Sequence, residues 1–83
     1  MKSLTQYGCL AEKIWRRWLP KMVAELERRG RLEEALREAE ERTVTEMDDL
    51  CRHFLQQGAS PDQAEARAWE IVRYRYVYLR PEN

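Results

Sequence analysis

The sequence has no apolar run near the roughly 18–20 residues that a helix needs to cross a bilayer. Its first residues, MKSLTQYGCLAEKIWRRW, also lack the uninterrupted apolar segment of a secretory signal, because charged side chains interrupt them. We therefore expect a cytoplasmic protein that makes no membrane contact.

Histidine and cysteine are scarce, at one and two residues, which limits the chemistry available to the chain. Cys51 and His53 are two positions apart, which on a helix directs their side chains about 200° apart and prevents a shared metal or a nucleophile–base pair. The sequence has no Glu-x-x-His element, zinc spacing or glycine-rich phosphate loop. We expect no enzymatic activity, no metal site and no cofactor.

Net charge is also absent, since fifteen Lys and Arg balance fifteen Asp and Glu. The charges are nevertheless separated along the chain. Residues 1–31 carry eight cations against three carboxylates, whereas residues 32–60 carry three cations against eight. Neighbouring helices of opposite charge, in one chain or in two associating copies, would pair in this way.

Glycine and proline are few, and they mark the ends of predicted helices. Gly30 and Gly58 each follow an amphipathic segment, as left-handed residues at helix C-termini do. The stretch Ser60-Pro61-Asp62-Gln63 is typical of a capping box at a helix start. These signals place two turns in the chain.

Apolar residues recur every three or four positions between these turns, which predicts an all-α fold in a single domain, residues 1–83. We expect three helices, at about 9–29, 31–57 and 61–79. The expected core consists of Trp15, Trp18, Met22, Leu26, Leu36, Met47, Leu50 and Phe54.

Pro20 lies inside the first apolar stripe, where proline either bends a helix or divides it into two. The stripe keeps its phase from Leu10 to Leu26. We therefore expect a kink at Pro20 rather than a full break.

A short turn at Gly30 makes the first two helices antiparallel, so that residues equally distant from the turn face each other. Met22 then meets Ala39 and Trp18 meets Thr43, which places bulky side chains against small ones. The stretch IWRRWLPK, with Trp15 and Trp18, is thus predicted to be a buried helix face rather than an exposed basic-aromatic surface.

The same register brings Cys9 level with Cys51. A disulfide or a shared ligand site is geometrically possible there. We expect free thiols instead, because the cytoplasm is reducing.

The segment VRYRYVYLR, residues 72–80, alternates like a strand, yet as a helix it is apolar almost all round. Two helices of the same chain cannot surround such a helix, so we expect a second copy or another protein to cover it. Alternatively the tyrosines lie flat on the surface, or the chain is extended from about Tyr76. The predicted partner-binding residues are Trp69, Tyr74, Tyr76, Tyr78 and Leu79, and the predicted architecture is a self-associating three-helix bundle.

A basic stripe on the first helix offers a second hypothesis, a small DNA-binding accessory factor. Its phosphate contacts would come from Arg16, Arg17, Lys21, Arg28 and Arg29. The acidic second helix and a sequence pI near 6.6 argue against this alternative. The preferred hypothesis is a non-enzymatic protein that acts through protein–protein contacts.

A short series of apolar and turn residues precedes the acidic stretch EEALREAEERTVTEM. The series is Trp15, Leu19, Met22, Leu26, Gly30, Arg31 and Leu32. This layout resembles small helical proteins encoded within bacterial transposons, the TnpV-like group, over about residues 15–70. The resemblance implies a bacterial accessory protein associated with a mobile element or phage, and it supplies no functional residue. The Arg- and Tyr-rich end departs from the group's pattern.

Overall fold

The computed structural model describes residues 4–82, and over this range the protein is all-helical, with no strand. The helices of this range are α1 (Gln6–Trp18), α2 (Pro20–Arg28), α3 (Leu32–Gln56) and α4 (Pro61–Tyr76). The prediction of an all-α fold is confirmed. The prediction of three helices is wrong, because the first predicted helix, at about 9–29, is divided into α1 and α2.

Both predicted glycine turns are confirmed by their backbone geometry. Gly30 has φ 67° and Gly58 has φ 96°, in the left-handed region where a Cβ is disfavoured. The Arg31 amide donates back to the Leu26 carbonyl at 2.8 Å, and the same six-residue closure follows Gly58. These bonds satisfy carbonyls that the helix end would otherwise leave without a partner.

The start of α4 has the predicted capping box. The Gln63 amide donates to the Ser60 hydroxyl at 3.2 Å, and the Ser60 amide donates to the Gln63 side-chain oxygen, also at 3.2 Å. Pro61 occupies the first helical position, where a missing amide hydrogen costs nothing.

The first predicted helix breaks at Leu19, whose backbone has φ −131° and ψ 51°. The ring of Pro20 disfavours helical geometry at the residue before it, and Pro20 has no amide hydrogen to donate. The expected kink is therefore a break, and Pro20 becomes the first residue of α2. The other end of α1 also differs, since the helix begins at Gln6 rather than near residue 9.

α4 ends at Tyr76, three residues before the predicted end at 79. The next residue, Val77, is fully buried, and the chain after it folds back over the junction of α1 and α2. The ring of Tyr78 lies 5.8 Å from that of Trp18. The protein's own C-terminal segment thus covers part of the surface for which the sequence predicted a partner.

The core has two parts, both of which contain residues of α3. The larger part consists of Ala11, Trp15, Leu19, Val23, Leu36, Ala39 and Val77, and the smaller part consists of Met47, Ala68 and Val72. Among the predicted core residues, Trp15, Leu36 and Met47 are buried, whereas Trp18, Met22, Leu26, Leu50 and Phe54 are half-buried.

The predicted register between the first two helices does not extend along α1. Gly8, expected level with about residue 52, lies against Glu40, and a Cβ added to Gly8 would collide with the Glu40 carboxylate. That carboxylate accepts a hydrogen bond from the Thr5 amide at the start of α1. The break at Leu19 separates α1 from α2, so the register set at Gly30 is not carried past it.

Candidate functional site

The structure places all five predicted partner-binding residues in contact with other side chains of the protein, and four of them are at least half-buried. Trp69 packs against Tyr7, with ring centroids 5.5 Å apart, and Tyr78 packs between Trp18 and Trp69. Leu79 packs on the larger part of the core. Contacts within the protein therefore bury much of the apolar surface for which the sequence pattern predicted a partner.

Tyr74 is the member of this set that faces solvent, with 62% of its surface exposed. The guanidinium carbon of Arg73 lies 4.8 Å from the centre of its ring, a cation–π contact, and the Arg73 side chain also donates to its hydroxyl at 3.2 Å. The ring of Tyr74 also lies 6.2 Å from that of Tyr78, and Ile71, three residues earlier on α4, is exposed as well, so some apolar surface remains uncovered at this end of α4.

Tyr76 belongs to a polar contact between α3 and α4. Glu46 forms an ion pair with Arg75, and the neighbouring Tyr76 hydroxyl is the main cause of a lowered pKa at Glu46, with burial opposing it and Arg75 adding to it. The same contact raises the pKa of the Tyr76 hydroxyl, chiefly because of the nearby Glu46 carboxylate. This arrangement joins α3 to α4.

The predicted basic stripe is largely neutralised by carboxylates of its own helices. Arg16 pairs with Glu12 at 2.9 Å and with Glu27 at 3.6 Å. Arg28 and Arg29 share the carboxylate of Glu25, each at 2.7 Å. Of the five predicted phosphate contacts, Arg17 and Lys21 are the two with no ion pair within residues 4–82, which is a small electrostatic footprint for duplex DNA.

An open apolar cleft of about 440 Å³, which we call the α1–α4 groove, lies between α1 and α4. Its apolar lining consists of Tyr7, Leu10, Met47, Ala66 and Trp69, and its polar lining consists of Gln6, Asp62 and Glu65. Met47 is almost fully buried beneath it, whereas Ala66 is exposed at its edge. This volume is within the range of protein pockets that bind small ligands or anchoring side chains.

Every charged residue that lines the α1–α4 groove is an acid. Asp62 and Glu65 lie one turn apart on α4, and neither carboxylate has an ion pair or hydrogen bond in the structure. The dipole of α4 places about half a positive charge beside Asp62. Glu65 lies about one turn deeper, where that effect has faded, so the groove keeps a negative edge.

The two cysteines are free and occupy different surroundings. Cys9 is exposed, and its thiol lies 3.7 Å from the Leu4 carbonyl, to which it donates. Cys51 packs against the smaller part of the core, where burial, followed by the charges of Glu65 and Asp48, raises the pKa of its thiol. Cys9 and Cys51 form no disulfide in the structure.

Among the residues that line the groove, Trp69 belongs to the partner-binding set predicted from the sequence, and the others do not. A signal was present, because Tyr7, Leu10 and Ile14 follow the three- and four-residue steps of the stripe, which would have moved the helix start back to Gln6. The acidic edge of the groove had no comparable signal in the sequence, since an acidic residue such as Asp62 is common in the first turn of a helix.

No helix in the described part of the chain is both long and apolar enough to span a membrane. Residues 4–82 also contain no group of three or more His, Cys, Asp or Glu side chains placed to hold a metal ion. No family model, no curated protein and no solved structure matches this chain.

Proposed function

We propose that the protein is a non-enzymatic interaction module that acts through protein–protein contacts, with the α1–α4 groove as its contact surface. The observation that carries this proposal is the open apolar lining of Tyr7, Leu10 and Trp69 over a buried Met47. Grooves of this kind receive apolar anchors from the helices of partner proteins.

The shape of the molecule supports the same proposal. Its accessible surface is 6085 Å², whereas a compact monomer of 10.0 kDa exposes about 5,200 Å². Its radius of gyration is 14.3 Å against about 12 Å for a compact chain of this length. Association adds more stability to an elongated domain with a small core than to a compact one.

The resemblance to the TnpV-like group suggests the biological setting of this proposal. Under it, the protein is a bacterial accessory factor of a mobile element, acting inside the cell on another protein or on a second copy of itself. If the partner is a second copy, the protein is a self-associating helical bundle. The pairing of Arg16, Arg28 and Arg29 with carboxylates of α1 and α2 supports a protein partner over DNA.

The test uses a designed, uncharged amphipathic helical peptide with leucines along one face, and binding is measured by fluorescence anisotropy. Ala66 is exposed in the groove, so Ala66→Trp would fill the groove without removing a buried atom. Ala24, which is exposed on α2 outside the groove, provides the matched control Ala24→Trp. We expect the first variant to weaken binding about tenfold or more, equivalent to about 1.4 kcal/mol, and the second to bind as the wild type does.

Two further measurements separate the alternatives. Light scattering over a range of concentrations would identify a second copy as the partner if a dimer forms and Ala66→Trp abolishes it. A gel shift with random duplex DNA is expected to show no complex at moderate salt. Absence of peptide binding together with a monomer at all concentrations would contradict the proposed function, and a salt-sensitive DNA complex would replace it.

A further inference from the structure

The α1–α4 groove combines two features that select the same kind of side chain. Tyr7 and Trp69 present aromatic surface, which attracts cations through the negative face of the ring. Asp62 and Glu65 present carboxylates that have no cationic partner in the structure, and no Lys or Arg lines the groove. A neutral or acidic occupant would displace water from both carboxylates without supplying a positive charge to pair with them.

From this geometry we propose that the occupant of the α1–α4 groove is a basic amphipathic helix of another protein. Its apolar residues would enter between Leu10 and Trp69, and a Lys or Arg beside them would lie against Asp62 and Glu65. This inference rests on the proposed function and names the chemical class of the partner.

A second copy of this chain fits the groove poorly in a two-fold contact. A two-fold contact would bring Asp62 and Glu65 of one copy against the same acids of the other, which is repulsive. A head-to-tail contact would require a basic helix with exposed apolar anchors. The basic helix α2 packs Met22, Val23 and Leu26 on its own core and exposes no large apolar residue. Ile71 and Tyr74 are exposed near Arg73 and Arg75 on α4, so a head-to-tail copy would have to insert this part of α4, an outcome that light scattering tests.

The experiment compares three peptides that share one leucine face and carry Lys, Gln or Glu at the flanking positions. Binding to the full protein is measured by anisotropy at low and high salt. We expect the Lys peptide to bind about tenfold more tightly than the Gln peptide at low salt, because two partly exposed charge pairs form, and the advantage to shrink at high salt. The Glu peptide should bind most weakly.

Protein variants assign the preference to the groove. The double substitution Asp62→Asn with Glu65→Gln removes both charges at nearly constant volume, and we expect the Lys and Gln peptides to bind it with equal affinity. Glu70→Gln removes one exposed charge from the same helix outside the groove and should leave the Lys advantage intact. Circular dichroism melts establish that both variants fold.

The outcomes separate this inference from the proposed function. Equal binding of all three peptides, weakened by Ala66→Trp, would overturn the cationic partner and leave the interaction module standing. Binding of none of them would overturn the inference, and together with a monomer at all concentrations it would overturn the proposed function as well. A dimer that Ala66→Trp abolishes would also overturn the inference, because a second copy would then occupy the groove.

Discussion

Glu82 lies at the N-terminus of α2, with its Oε2 atom 3.0 Å from the amide nitrogen of Met22, a residue 60 positions earlier in the chain. Its other carboxylate oxygen accepts from the Lys21 amide, also at 3.0 Å. The Glu82 amide in turn donates to the Trp18 carbonyl, at the end of α1. The C-terminal segment therefore satisfies backbone groups on both sides of the break at Leu19.

Replacing Glu82 is expected to destabilise the fold. Leu19, at the N-cap position of α2, makes no side-chain capping bond, so Glu82→Ala would leave the Lys21 and Met22 amides to water. The loss of a capping carboxylate costs about 1–2 kcal/mol, which lowers the melting temperature of a domain this small by about 4–16 °C. Thermal unfolding followed by circular dichroism measures the shift.

Glu70→Ala serves as the control, since Glu70 is an exposed carboxylate on α4 with no bond in the structure. It should change stability by less than about 0.5 kcal/mol. Equal effects of the two substitutions would show that the capping bond of Glu82 contributes nothing in solution.

Gly8→Ala is expected to reverse the usual effect of this substitution in a helix. Alanine normally gains about 1 kcal/mol over glycine in a helix interior. Here the new Cβ would meet the Glu40 carboxylate, and side-chain atoms of Leu4 at 3.0 Å, so Glu40 would have to release the Thr5 amide. We expect a net loss of about 1 kcal/mol in urea unfolding.

The matched background is Glu40→Ala, in which the carboxylate is already gone. Gly8→Ala should then stabilise the protein, or cost distinctly less than in the wild type. The same stabilisation in both backgrounds would mean that Gly8 and Glu40 are not in contact.

The two thiols are expected to react at different rates with a thiol reagent such as Ellman's. Cys9 is exposed, whereas burial raises the pKa of the Cys51 thiol and lowers the fraction of reactive thiolate. At neutral pH one thiol should be modified rapidly and the other slowly, and mass spectrometry of peptides should assign the rapid one to Cys9. In denaturant both should react together; faster labelling of Cys51 in the folded protein would contradict its position against the core.

The contact between Glu46 and Tyr76 predicts a pH-dependent contribution to stability. The folded pKa of Glu46 is below its ordinary value of 4.5, so the unfolded state binds protons first as the pH falls. The stabilisation is complete above the ordinary pKa and is lost as the pH falls through the folded pKa. Glu46→Gln should thus be less stable than the wild type at pH 7, and the difference should shrink as the pH falls below 4.5.

Tyr76→Phe tests the cause, since loss of the hydroxyl should move the pKa of Glu46 back towards its ordinary value. A constant difference between wild type and Glu46→Gln from pH 7 to pH 3 would contradict the contact.

The local signals of this chain were predictable because each depends on residues close in sequence. Gly30 and Gly58 end helices through their own backbone freedom, and Ser60 and Gln63 cap α4 across three residues. The burial of Trp15 followed from the helical period alone. The α1–α4 groove was not predictable in the same way, because its residues come from three helices whose relative placement no local pattern specifies.

The sequence by itself determined that the protein is helical, where its two glycine turns lie and how α4 begins, since these features need only neighbours along the chain. The tertiary structure alone decided that the chain breaks at Leu19, that α4 ends at Tyr76 and that the acids of the groove remain unpaired. The physical reason is that amides without a helical partner and apolar side chains are stabilised by contacts with other parts of the chain. Here those contacts come from residues far away in sequence: Glu82 for the amides of α2, and the larger part of the core for Val77.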